Sequence, residues 1–331
     1  MSAFYGWLSV EPPILLHTSS DDLLRQLPES PVTRIQVYPW HHTADEIFAF
    51  HEHDRRLRPQ DRLHHCVNTE AARQALEERG ASVAFVTPNA FLDERRYTLA
   101  ANASRLFQAV YNARMNPFKR HWLAERIGSL MIVGGVYAPD DSWDYFSEVR
   151  RRLPQAWFTH ADNHWFRGPE EIAALLNEAR VGLCLSACEG AMYAATEYLL
   201  CGLPVVSTAS LGGRDVWFDP KYTRIVDDDP AAVAAAVDEL DSLRLPPAEV
   251  RGAALREMAV QRERFFELGR RIYGQLSIDR SFVADFHAHF ENKLGDWRSP
   301  QELSAHREQR RASLLEAKSR KSIDDGGPLL H

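Results

Sequence analysis

The sequence predicts an α/β protein made of two parallel-sheet units and a helical, charged tail. Two observations carry this. Short β-rich runs alternate with amphipathic helical stretches over most of the chain, the pattern of strands joined by crossover helices. The alternation starts afresh near Gln108, and 331 residues suffice for two hydrophobic cores.

In the first unit, ILLHT (14–18), RIQVYP (34–39), HHCVN (64–68) and SVAFVT (82–87) read as strands. Between the last two lies TEAARQALEERG, a helix with Thr69 as N-cap and Gly80 as its stop. In the second unit the strands are LMIVGGV (130–136), AWFTH (156–160), VGLCLS (181–186) and PVVST (204–208). The helices DYFSEVRRRL, PEEIAALLNEA and MYAATEYLLCG fit between them, and TRIVDDDPAAVAAAVDEL adds a fifth strand with its helix. The D-x-D within Asp227–Asp229 needs no metal, because Asp229 suits an N-cap and Pro230 the first helical position. Further on, DFHAHFENKL reads as one more helix. The chain then turns polar, and its last dozen residues are expected to be poorly ordered. The expected domains are 1–107, 108–275 and a tail, 276–331.

Composition narrows the function classes. Hydrophobic residues make up 45% and charged residues 26%, as in an ordinary globular protein. A net charge of -7 gives no electrostatic reason for a nucleic-acid partner. The start, MSAFYGWLSVEPP, lacks the basic and apolar regions of a secretion signal, and no apolar run is long enough for a membrane span. Cys66, Cys184, Cys188 and Cys201 lie in apolar surroundings without C-x-x-C spacing, and buried free thiols in a reducing cytoplasm are expected. His64-His65-Cys66 is set aside as a metal site, since adjacent strand residues point to opposite faces.

Glu189 and Glu197 stand eight apart in an otherwise apolar stretch, CLSACEGAMYAATEYLLCGLPVVST. Spacing alone is weak evidence, because Glu70/Glu78, Glu170/Glu178, Glu249/Glu257 and Glu308/Glu316 share it. Context separates the pair. Glu189 follows a buried strand, in the turn that opens a helix, where ligands bind in α/β sheets. The amides of Gly190, Ala191, Met192 and Tyr193 are expected to be the unpaired donors of that helix start. Two carboxylates about 12 Å apart along a helix axis would suit a long ligand with hydroxyls at both ends.

The stretch resembles the E-x7-E segment of retaining GT-B glycosyltransferases of the glycosyltransferase-4 type. Other blocks agree in order over roughly residues 67–240. Pro88-Asn89-Ala90-Phe91-Leu92-Asp93 resembles the family's P-N-G-V-D turn, with Ala for Gly. ARMNPFKRHWLAERI resembles its R-x4-K segment, with Arg114 and Lys119 in place. MIVGGV resembles the next strand and glycine turn, and the match continues through the glutamates to Gly212-Gly213.

The resemblance implies a GT-B-like fold, two Rossmann-type domains facing across a cleft, the first one reduced. It implies a retaining, metal-independent transfer from a nucleotide diphosphate sugar to an unidentified acceptor, with no cofactor. Arg114 and Lys119 would bind the diphosphate, Glu189 the transferred sugar and Glu197 the ribose. Family members often place an N-terminal-domain histidine beside the donor sugar, and His41 and His42 follow a predicted strand. The enzyme would be cytoplasmic, with peripheral contact at the inner membrane face if its acceptor is lipid-linked. A reading from another class is a nucleotide-sugar-binding scaffold that has lost transfer.

Overall fold

A computed structural model describes residues 5–18, 21–159, 168–294 and 298–324. It divides into two compact units, each with its own sheet. The first contains residues 1–38, 43–86 and 264–331, the second residues 39–42 and 87–263. Residues 87–106, read from the sequence with the first domain, pack in the second unit, and the C-terminal helices belong to the first.

The first sheet has five strands in chain order: β1 (Tyr5–Val10), β2 (Pro13–His17), β3 (Thr33–Val37), β4 (Arg62–Val67) and β5 (Ser82–Phe85). The four predicted strands are β2 to β5, all parallel. β1 pairs antiparallel with β2 and was not anticipated. Helices α1 (Asp21–Gln26), α2 (Ala44–Leu57) and α3 (Glu70–Glu77) connect them. In α2, Thr43 and Glu46 form a capping box; in α3, Thr69 accepts from the Ala72 amide. Adjacent histidines on β4 face opposite ways: His64 meets Ser82 Oγ at 2.7 Å, and His65 meets Tyr38 Oη at 2.7 Å.

The second sheet is wholly parallel. In chain order its strands are β6 (Phe107–Asn112), β7 (Leu130–Val133), β8 (Trp157–Phe158), β9 (Ala179–Cys184), β10 (Val205–Thr208) and β11 (Thr223–Val226). Their spatial order is β11-β10-β9-β6-β7-β8. The chain therefore runs outward from β6 in one direction, then returns to its other side as β9. The gap between β6 and β9 is a topological switch point, where open α/β sheets bind ligands at the carboxyl ends of their strands. Its helices are α4 (Trp143–Arg152), α5 (Pro169–Asn177), α6 (Tyr193–Leu200) and α7 (Pro230–Ser242). Asp229 caps α7 by accepting from the Ala232 amide, with Pro230 in the first turn, as the sequence indicated.

Helix α8 (Pro247–Gln275) belongs to the second unit up to Glu263 and to the first from Arg264. In the first unit, Phe265, Phe282, Phe286 and Phe290 pack their rings together, bringing α8 onto α9 (Phe282–His289). Helix α10 (Pro300–Asp324) buries Leu303 against Trp7, Leu23 and Leu27, and the Trp7 indole donates to the Leu303 carbonyl at 3.1 Å. Of the dozen residues expected to lack order, 320–324 continue α10 and 325–331 lie outside the described residues, as does His160 of the predicted strand 156–160. Among the described residues no helix is long and apolar enough to cross a membrane.

Candidate functional site

Every candidate donor-site residue, His41 and His42 included, falls within the second unit, and the chemistry gathers at its switch point. Arg114 and Lys119 follow the carboxyl end of β6; Glu189 follows that of β9. Lys119 closes a 3-10 turn, Pro117–Lys119, in which Asn116 Oδ1 accepts from the Phe118 amide at 3.3 Å. Tyr111, on β6, donates to the Lys119 carbonyl at 2.5 Å and so anchors the turn to the sheet. Lys119 Nζ then forms an ion pair with Glu189 Oε1, the two side chains 9% and 10% exposed. Arg114 and Lys119 both lie over the Phe118 ring, at 5.5 and 4.9 Å from its centroid. Two cations and the Glu189 carboxylate thus share a small volume.

Glu189 is held from several sides. Ser186 donates to its Oε2, and its amide donates to the Leu211 carbonyl at 3.0 Å. Leu211 in turn donates to the Ala187 carbonyl at 2.9 Å. The close approach needs Gly212, at φ 113°, because a Cβ there would stand 1.8 Å from the Glu189 carbonyl oxygen. Burial pushes the Glu189 carboxyl up, but Lys119, Ser186 and Arg214 outweigh it, so the group sits below the usual range. It is an anion at neutral pH.

Helix α6 begins at Tyr193, later than the sequence reading placed it. Its N-cap, Met192, is left-handed at φ 41°, so Gly190 and Ala191 precede the helix and their amides do not continue its axis. The Ala191 amide donates to the Pro39 carbonyl at 3.2 Å, which corrects the expectation that this amide is unpaired. Gly190 packs where a Cβ would come 2.4 Å from that same carbonyl, which brings Trp40 and His41 to this corner. Trp40 is 46% exposed and faces the Arg114 guanidinium at 5.8 Å; His41 Cβ lies beside Gly212; His42 is half-buried. Met192 itself is held by Asn89, whose Nδ2 donates to its carbonyl at 3.2 Å and to Thr196 Oγ1 at 2.7 Å.

Glu197 is on α6, 3% exposed. Its Oε1 accepts from Tyr97 Oη at 3.0 Å and its Oε2 from Asn112 Nδ2 at 2.9 Å. The pair of glutamates is therefore not two points on one helix axis. Glu189 lies in the loop with the cations, and Glu197 lies beneath α6 near the end of β6. Arg114 is engaged as well. Asp140 takes both its terminal nitrogens, at 2.7 and 2.8 Å, with Asp141 at 3.2 Å. Asn116 steadies Asp140 through its carbonyl at 2.7 Å.

Sequence reasoning did not find Ser186, Arg214, Asp140, Tyr97 or Asn112. The signals were thin: a serine ending a strand run, an arginine directly after Gly212-Gly213, and an acidic pair after the glycine turn.

Residues 115–242 match the family model described as Glycosyl transferases group 1. A search of curated proteins finds no match. Among solved structures, sucrose-phosphate synthase from Thermosynechococcus elongatus is similar at a TM-score of 0.52 and 16% identity, over 74% of this chain and 67% of that one. HepE from Anabaena, solved with UDP, gives 0.52 and 14%, over 74% and 72%. The pneumococcal O-GlcNAc transferase GtfA, solved with UDP and GlcNAc, gives 0.54 and 13%, over 72% and 52%. The fold is thus the α/β fold of GT-B glycosyltransferases, and the site described above lies largely within the matched segment.

Proposed function

We propose that the chain transfers a sugar from a nucleotide diphosphate sugar to a hydroxyl acceptor, with retention of anomeric configuration and without a metal. The observation that carries this is the convergence of Arg114, Lys119 and Glu189 at the switch point of the second sheet. In this reading Arg114 and Lys119 take the diphosphate, Glu189 accepts from hydroxyls of the transferred sugar, and Glu197 from the ribose. The UDP bound by HepE and GtfA, two proteins of the same fold, supports a uridine nucleotide as the first donor to try.

The chemistry follows from charge. As the bond between the anomeric carbon and the phosphate oxygen breaks, negative charge grows on the diphosphate, and fixed cations there stabilise the transition state by several kcal/mol. The acceptor oxygen attacks from the face the phosphate leaves. Its proton passes to a departing phosphate oxygen, giving a glycoside and a nucleoside diphosphate. Lys119 and Glu189 form an ion pair, which fixes the carboxylate where the sugar is to bind.

The test is the configuration of the product. With UDP-glucose and water as the slow acceptor, proton NMR is expected to show α-glucose released first, before mutarotation, at a rate unchanged by chelator. Release of β-glucose first, or loss of turnover with chelator, overturns the reading.

A further inference from the structure

We propose that Arg214 and Ser186 are positioning residues for Glu189, Arg214 committing the Ser186 proton to the carboxylate and so presenting Glu189 to the donor in one orientation. This rests on the donor-site reading above. Arg214 lies just after Gly213 and is 1% exposed, a guanidinium in the interior of the unit. Its Nη2 donates to the carbonyls of Cys184 and Thr208, each at 2.8 Å, and to Ser207 Oγ at 3.0 Å. It is thereby pinned to the carboxyl ends of β9 and β10. Its Nη1 donates to Ser186 Oγ at 3.0 Å and reaches Met192 Sδ at 3.5 Å.

The direction of these bonds is forced. A guanidinium has donors only, so Ser186 Oγ must accept from it. The one hydroxyl proton is then directed elsewhere, and Glu189 Oε2 is its partner. A serine without Arg214 could rotate and accept from another group; with it, the hydroxyl has one orientation. Glu189 is thus fixed by Ser186 at one oxygen and Lys119 at the other, each oxygen keeping lone-pair capacity for a sugar hydroxyl. Through Met192 the same guanidinium also touches the left-handed residue that starts α6. Among the described residues no carboxylate bonds to it directly, and burying a cation on such terms is costly for packing alone. The service to Glu189 accounts for that cost.

The experiment uses the full chain and three variants, Ser186→Ala, Ser186→Thr and Arg214→Lys, with two readouts. The first is the carbon-13 NMR titration of the Glu189 carboxylate, assigned by difference from Glu189→Gln. The second is UDP-glucose turnover. S186A is expected to move the titration to higher pH and to lower kcat by about tenfold to a hundredfold, with donor KM little changed. S186T restores both, and R214K resembles S186A because an ammonium lacks the planar fork. Should R214K fail to fold, S186A and S186T decide alone. A Glu189 titration unmoved in S186A overturns the proposal, as does an S186T that behaves like S186A. If the titration moves as expected while Glu189→Gln turns over UDP-glucose like the wild type, the positioning stands and the donor-site reading fails.

Discussion

The Lys119–Glu189 pair makes a prediction that separates architecture from chemistry. Both side chains are about nine-tenths buried, so neither charge is well solvated without the other. Lys119→Met strands the carboxylate with Ser186 as its remaining side-chain donor among the described residues. Removing one partner of a buried pair costs about 3–5 kcal/mol. We expect the lower end, about 3 kcal/mol, because the Ser186 bond and the nearby Arg214 charge still stabilise the anion. For a unit of this size that corresponds to a Tm lower by about 6–12 °C. Glu189→Gln is expected to cost a similar amount by stranding the ammonium. The double variant removes both charges and should cost at least about 2 kcal/mol less than the sum of the singles. Urea unfolding at pH 7, followed by tryptophan fluorescence, measures all four proteins. All three variants should lack turnover, the double variant included. Strictly additive energies, or a Lys119→Met protein as stable as wild type, would refute the claim that the pair is one buried electrostatic unit.

Three further outcomes follow from the same geometry. Asp140 holds Arg114 with a side chain 61% exposed, so Asp140→Asn loosens the guanidinium while its pair with Asp141 stays, and should lower donor KM up to about fivefold, the scale of an exposed ion pair; a raised KM in steady-state kinetics would mean Asp140 aids rather than competes. Glu197→Ala should weaken binding of UDP in calorimetry but not that of pyrophosphate, which lacks the ribose; equal weakening of both would remove the ribose role. His17 is buried, and burial followed by the Arg34 charge lowers its pKa to about 3, against about 6.5 when unfolded. Between those values the unfolded state binds the extra proton, so stability is full above about pH 6.5 and falls as pH drops. His17→Gln should therefore reduce the slope of unfolding free energy between pH 6 and 4 by about 1.4 kcal/mol per pH unit, and an unchanged slope would contradict it.

Much of the fold was legible because local signals agreed with each other. Thr69, Asp229 and Pro230 stand where helix starts demand them, and the apolar runs of β7, β9 and β10 are long enough to stand out. The elements missed have physical reasons. β6 lies at the centre of its sheet, yet FQAVYN mixes Gln and Asn with its apolar residues, because Gln108 and Asn112 bond outward to Asp238 and Glu197. α8 is dense in Arg and Glu, which hides a buried stripe at Val250, Ala254, Met258, Gln261, Phe265, Leu268 and Ile272; the three-and-four spacing was there to be read. At the site, motif order located Arg114, Lys119, Glu189 and Glu197, but not what holds them. Arg214 lies 28 residues after Ser186, through which it acts on Glu189, and reaches that serine only because β9 and β10 are neighbours, a contact set by sheet order rather than by local pattern. The left-handed Met192 was equally hidden, since nothing in a methionine announces a positive φ.

The most direct test of the central claim is calorimetric binding of UDP-, GDP-, ADP- and dTDP-glucose to the full chain, with and without chelator, beside Arg114→Ala and Lys119→Ala. Saturable binding of one nucleotide over the others is expected, unaffected by chelator and weakened at least tenfold by each variant. Binding that survives both variants, or no binding of any of the four, would contradict a donor site at the switch point of the second sheet.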